Sequence, residues 1–270
     1  MQAFNKIIEY KDSKDFLNNW YRKRAHLTAA DLKYIAIFAM LLSHISQTGY
    51  LYMFGENFYQ IAGTFTLIGR IAMPIFCFFT VQAIIFSKDI NKYFLRMLSF
   101  AIISEIPFDL AFSTNAFDWT HQNVIFTLLI GGLTIFAMDN IWKGKSHWII
   151  KVVAMLAIGF LGAFLADFMK TDYGAKGVFA IILLYLTRNN KILTLLALLW
   201  AFYFEFYMPG GFTAMTYGFV YLSIPLILLY NGQRGKQNKW LFYIFYPGHL
   251  LIIYFLISLR MNAIFWLLTK

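Results

Sequence analysis

With a single cysteine, Cys77, among 270 residues, the chain excludes an internal disulfide and a cysteine-rich metal or haem site. Charge is scarce as well: Asp, Glu, Lys and Arg make up 13% of the chain, against about a quarter of a soluble domain. The phosphate loop G-x-x-x-x-G-K-S/T, the metalloprotease H-E-x-x-H and the hydrolase G-x-S-x-G are all missing. Arg-rich voltage-sensor spacing is absent, and no repeated half of the kind found in many secondary transporters is visible. A short apolar core with a small-residue cleavage site does not precede the first apolar run, so a removable signal peptide is not expected.

What the chain does have is apolar surface. Hydrophobic residues make up 60% and aromatic residues 20%, and the mean hydropathy is +0.61. Long continuous apolar runs predict helices, where a membrane barrel would show alternation over ~10 residues. The expected fold is all-α: a polytopic integral membrane protein of about nine helices (eight to ten) around a central polar cavity. Spans are expected at 33–53, 63–86, 94–112, 123–142, 148–168, 175–187, 192–208, 214–230 and 240–259. The organisation is one transmembrane domain, 33–270, behind a basic segment, 1–32, that suits an amphipathic helix on the membrane surface. The apolar stretch Met261–Thr269 is too short to cross and is expected to lie on the surface or re-enter.

The net charge of +10 is topological. Eighteen of the 23 Lys and Arg fall in alternate loops or the N-terminal segment, four fall on the other side, and Arg70 sits inside a span. The positive-inside rule then predicts a cytoplasmic N-terminus for a multi-pass protein and, with nine spans, an external C-terminus. This distribution gives no support to a nucleic-acid partner.

Chemistry must reside in the polar residues within the spans. His44 sits twelve residues into the first apolar run, near the expected centre of that helix. An ionisable group there costs several kcal/mol unless it meets a partner or a wet cavity, so it is a functional candidate by default. Arg70, in GRIAMPIF, remains charged at any accessible pH. Pro74, one turn later, should free a backbone carbonyl and bend the helix. Glu105 and Asp109, at i and i+4, share a face of the third span. They are placed to orient His44, neutralise Arg70 or relay protons. Asn123 opens the fourth span, Asp172 and Tyr173 lie in the polar loop DFMKTDYGAKG, and Tyr246 and His249 lie in FYPGHL, where Pro247-Gly248 is expected to interrupt the last full span. No i, i+4 ligand spacing supports a metal site, and none is expected.

The ordered motifs DLKYIAIFAMLLSHI, GRIAMPIFCFF, RMLSFAIISEIPFDLAF, NVIFTLLIGGL, DYGAKG and FYPGHL resemble the TraX family, named for a conjugative-pilin N-acetylase. The resemblance covers roughly residues 31–255. It extends to a wider group of multi-span acyltransferases that includes bacterial sugar O-acetylases and heparan glucosaminide N-acetyltransferase. In that group an early intramembrane His and a nearby Arg are functional, which here correspond to His44 and Arg70. Family members often carry Asp before that His. Here Ser43 stands in its place, which leaves Glu105 as the candidate orienting acid.

The resemblance implies that the membrane is the bacterial cytoplasmic membrane. It also implies transfer of an acyl group, most simply acetyl, from cytoplasmic acetyl-CoA (or another acyl-CoA) to an acceptor at or beyond the outer face. The acceptor is a pilin or peptide amine, or a glycan or wall-polymer hydroxyl. His44 is the expected base, Glu105 its orienting acid, and Arg70 the oxyanion or phosphate contact. Arg96 and the Arg234–Lys239 cluster are candidates for attracting the CoA phosphates. Two rival readings are a proton-coupled permease using the same polar residues and a non-catalytic assembly scaffold.

Overall fold

A computed structural model describes residues 26–113, 115–203 and 219–269. Most of the expected amphipathic segment, parts of the spans placed at 192–208 and 214–230, and Lys270 lie outside the described residues. The fold is all-helical, as expected. Among the described residues, five helical segments are long and apolar enough to cross a membrane.

The first helix, α1, runs Ala29–Gln47. It begins four residues before the expected span because Thr28 and Asp31 form a reciprocal capping box: Asp31 N–H donates to Thr28 Oγ1, and Thr28 N–H donates to Asp31 Oδ2. Two 3-10 turns, Leu51–Phe54 and Glu56–Phe58, lead into α2, Tyr59–Gly69. Helix α3, Ala72–Phe86, follows after only two residues. The junction lies at Arg70 and Ile71, whose amides bond back to Leu67 and Ile68 in the tighter i−3 pattern. Pro74 has no N–H to offer the Arg70 carbonyl, so the expected break falls one turn before it.

Helix α4, Ile90–Ser113, is long enough to span and carries Pro107 without interruption. Helix α5 is Val124–Lys143 and α6 is Trp148–Phe168. Helices α7, Gly174–Thr187, α8, Lys191–Ala201, and α9, Ser223–Leu228, are shorter than a bilayer crossing. Asn residues open several helices by accepting an amide: Asn123 from Ile125, Asn190 from Leu193 and Asn238 from Trp240.

The last helix, α10, runs unbroken over Lys239–Leu268. Two expectations are therefore corrected. Pro247-Gly248 does not interrupt the helix, because one lost backbone bond is tolerated inside a 30-residue helix packed on α4 and α1. Met261–Leu268 continues α10 instead of forming a separate stretch. No Gly or Pro follows Gly248 in this helix to stop it, and at helical rise it measures ~45 Å.

Helices α1, α3, α4, α5 and α10 enclose the interior, while α7 packs on both α3 and α5 and α6 packs on α5 and α7. Close approaches of small residues fix this packing. A Cβ at Gly69 would lie 2.2 Å from the Ser43 Cβ, and a Cβ at Gly162 would lie 2.1 Å from Thr134 Oγ1. Ser46 completes the α1–α2 seam, with Oγ donating to the Ala62 carbonyl at 2.7 Å. Helix α6 presents Val153, Leu156, Phe160, Phe164 and Phe168 outward, an apolar face of the kind that lipid covers.

Candidate functional site

His44 occupies the last turn of α1, nearer that helix's end than expected, because the chain leaves the helix at Thr48. It nevertheless lies deep in the bundle. Its neighbour Ser43 packs against Gly69, close to the midpoint of the 31-residue helical segment Glu56–Phe86. The ring is 9% exposed and His249, from α10, is 5% exposed.

These two rings form a defined pair. His44 Nδ1 and His249 Nε2 are 2.7 Å apart, and His249 Nδ1 lies 2.7 Å from the Phe245 carbonyl oxygen. A carbonyl can only accept, so His249 Nδ1 carries the hydrogen and donates it. The neutral His249 ring then has an acceptor at Nε2, which receives the His44 Nδ1–H. By elimination, His44 Nε2 holds the lone pair. Aromatic rings hold this arrangement: Phe245 stacks on His249 at 4.8 Å, and Phe112 meets His44 edge-on at 5.5 Å. Tyr246 packs edge-on against both imidazoles.

Ser43, His44, Gln47, Arg70, Asp172 and Tyr173 line one chamber of about 60 Å³. The structure thus brings together His44, Arg70 and the DYG loop, three features distant in sequence. Gln47 was not singled out from sequence; its Nε2 donates to Ser43 Oγ at 2.6 Å, and it lies one turn after His44 on α1. Position 43 belongs to a tight helix seam as well as to the chamber wall, which suits a small hydroxyl.

Glu105 is engaged elsewhere. Its Oε2 accepts from the Asn123 backbone amide at 3.2 Å and from the Asn123 side-chain amide, tying α4 to the start of α5. A carboxylate at a helix N-terminus is favoured by the exposed amides there. Asn123 itself is fully buried and donates to the Ala101 carbonyl. Asp109, 3% exposed, accepts the Asp118 amide at 2.9 Å and fastens the loop that follows α4. His44 hydrogen-bonds to His249, whereas Glu105, the expected orienting acid, hydrogen-bonds to Asn123. The sequence signal was the shared interior position of two histidines; their register could not be read without the helix packing.

The loop before α5 and the loop before α7 are stitched together. Gln122 N–H donates to the Lys170 carbonyl, and Asp172 N–H donates to the Gln122 carbonyl. Thr127 Oγ1 donates to the Asp172 carbonyl and reaches Thr171 Oγ1 at 2.9 Å. Tyr173 takes a left-handed backbone, φ 65°, just before α7. His121 Nε2 stands 3.6 Å from Asp172 Oδ1. That carboxylate, with Glu105 and Asp118 nearby, raises the His121 pKa above its ordinary value despite partial burial.

Two further cavities adjoin the chamber. A largely apolar one of about 250 Å³ is bounded by α1, α3, α4, α5 and α10 and includes Arg96, Phe100, Tyr243 and Tyr246. It shares Met40, Phe76 and Val124 with the His44 chamber. Tyr93 connects it in turn to a cleft of about 530 Å³ at the end of the bundle rich in Lys and Arg. Among the described residues no group of three or more His, Cys, Asp or Glu is placed to hold a metal ion.

A family model described as "TraX protein" matches residues 28–257. A curated relative, the probable fimbrial assembly protein FimC, serogroup H1, of Dichelobacter nodosus, is 26% identical over 244 residues. That match covers 84% of this chain and 94% of the relative. No solved structure matches the chain.

Proposed function

The chain belongs to the TraX family, and from that premise we propose that it is a membrane-bound acyltransferase whose base is His44. The observation that carries the reading is the hydrogen-bond sequence from the Phe245 carbonyl through His249 to His44. It holds His44 in one tautomer with Nε2 as the lone-pair nitrogen, in a chamber that also contains Arg70. A base held in that form, beside a permanent cation, is what acyl transfer to an amine or hydroxyl requires.

In the proposed reaction the acceptor loses its proton to His44 Nε2 as it attacks the thioester carbonyl. The imidazolium that forms is stabilised by His249, which accepts the His44 Nδ1–H as the acid of a triad would, without adding a buried negative charge. Arg70 faces the oxyanion of the tetrahedral intermediate. On its collapse the C–S bond breaks, and the proton held by His44 passes to the departing thiolate. His44 and Arg70 line the same chamber, and His249 backs His44 through the hydrogen bond to its Nδ1.

By the positive-inside rule the cleft of Lys33 and Arg234 faces the cytoplasm in this reading, and the family points to the bacterial inner membrane. The donor is then cytoplasmic acetyl-CoA or another acyl-CoA, entering through the apolar cavity beside Arg96. The acceptor meets the chamber from the opposite side, past Asp172 and Tyr173. The relative's name ties that protein to fimbrial assembly. Carried to this chain, it favours a pilus subunit as acceptor over a glycan or wall polymer.

Binding of donor is the first test. Acetyl-CoA at a hundred times its Kd should stabilise purified protein by about 2.7 kcal/mol through mass action, read as a rise in melting temperature. A proton-coupled permease or a scaffold predicts no shift with acetyl-CoA or CoA, and that result would remove the donor from the proposal.

A further inference from the structure

The cleft at the Lys- and Arg-rich end is built in a way that the His44 chemistry does not explain. Lys33 projects from the second turn of α1, and Arg234 comes from the loop before α10. That loop is sewn onto the start of α1. Leu27 N–H donates to the Leu229 carbonyl, Asn231 N–H to the Leu27 carbonyl, Ala29 N–H to the Gln233 carbonyl and Ala30 N–H to the Arg234 carbonyl. Gly235, at φ +69°, allows the loop to pass Thr28, whose Oγ1 a Cβ there would approach to 2.2 Å. Arg234 is therefore held on the same wall as Lys33. Lys33 is further fixed by Gln237 Oε1 at 3.5 Å and by the Phe79 ring at 5.1 Å.

Two cations thus share a cleft of about 530 Å³, and no acidic side chain of the described residues lines it. Like charges confined together repel unless an anion joins them. The remaining lining includes the amides of Gln82 and Gln237 and the rings of Phe79, Tyr93 and Tyr230. Cations flanked by amides and aromatic faces suit a ligand with phosphates and a stacking base.

We propose that this cleft is the seat of a nucleotide phosphate group, with Lys33 and Arg234 as its cationic contacts and Gln82 and Gln237 as its polar rim. The assignment rests on the acyl-CoA reading above and supplies the distance that reading lacks. Lys33 and His44 are eleven residues apart on α1, ~16 Å along the axis. The pantetheine arm between the diphosphate and the sulfur of CoA has twelve bonds, about four residues' worth of extended chain or ~14 Å. The ~16 Å is measured along the backbone, so with the reach of the Lys33 and Arg234 side chains added, a donor anchored there by its phosphates runs its arm through the apolar cavity and delivers its thioester to the His44 chamber. The cleft acts as one end of a ruler.

The test uses full-length protein in detergent and two probes. Calorimetry with adenosine 3′,5′-bisphosphate measures the cleft alone, and transfer from acetyl-CoA against S-acetylpantetheine measures its use. For Lys33→Gln/Arg234→Gln, bisphosphate binding should weaken tenfold or more, and the kcat/KM advantage of acetyl-CoA over S-acetylpantetheine should collapse by a similar factor. Gln237→Glu, which sets a carboxylate on the rim of an otherwise intact cleft, should weaken bisphosphate binding in the same direction. Undiminished bisphosphate affinity in both variants overturns the assignment while leaving acyl transfer intact. Bisphosphate binding that depends on Lys33 and Arg234, in a protein that transfers no acetyl group, sustains the cleft and sinks the acyltransferase reading instead. Absence of bisphosphate binding in the wild-type protein overturns the cleft directly.

Discussion

An imidazole serves as a base only when the correct nitrogen is unprotonated and faces the reacting group, and in the proposed reaction that selection at His44 depends on the hydrogen bond to His249. Replacing His249 with Ala removes the acceptor for the His44 Nδ1–H and frees the ring to turn, so kcat should fall about 100-fold with KM nearly unchanged. His249→Gln retains an acceptor oxygen and should recover part of that loss; equal activity of the two variants would contradict the orienting role. Arg70→Gln keeps a polar side chain but removes the charge and should reduce kcat by 10²–10³, the usual range for an oxyanion donor. Steady-state transfer kinetics check both. Sequence made His44 and Arg70 legible because each is an ionisable group in an apolar run. It assigned the orienting role to Glu105, because Ser43 stands where family members often carry Asp. Glu105 instead accepts from Asn123, and only three-dimensional packing places His249, 205 residues later in the chain, beside His44.

At the scale of elements, the seam between α1 and α2 sets where His44 stands relative to Arg70. Gly69→Ala would drive a methyl into the Ser43 Cβ, an overpacking expected to cost about 1–3 kcal/mol. Adding Ser43→Gly should return part of that stability, as read by denaturation in mixed micelles. The loops before α5 and α7 form a second seam, closed by His121 and Asp172. Because the folded His121 pKa is raised, its contribution is fully present below the ordinary histidine value of about 6.5 and is lost as pH rises through the folded value. The melting temperature of the wild-type protein should therefore fall relative to His121→Gln as pH is raised from about 6 to 8. Parallel curves would exclude the pair. Helix positions were largely legible from apolar runs, caps and Pro74. Pro247 misled because a proline's effect depends on neighbours that carry the rest of the helix, and the continuation past Met261 followed from a lack of breakers rather than from any positive signal.

Across the whole molecule, charge and polarity are sorted along one direction. The cationic cleft, the apolar cavity and the His44 chamber adjoin one another through Tyr93 and then Met40, Phe76 and Val124. The loop charges indicated which end is basic, but the line of cavities arises from α1, α3, α4, α5 and α10 meeting, and no sequence window contains it. The outward apolar face of α6 leaves the chemistry to this interior. If His44 is the base for acetyl transfer, its loss is read in label transfer. Inverted membrane vesicles containing equal amounts of wild-type or His44→Ala protein, confirmed as folded by an unchanged elution profile, are given radiolabelled acetyl-CoA. Acid-precipitable label should appear with the wild-type protein and fall at least about 100-fold with the variant. Labelling by His44→Ala at the wild-type rate would contradict the account.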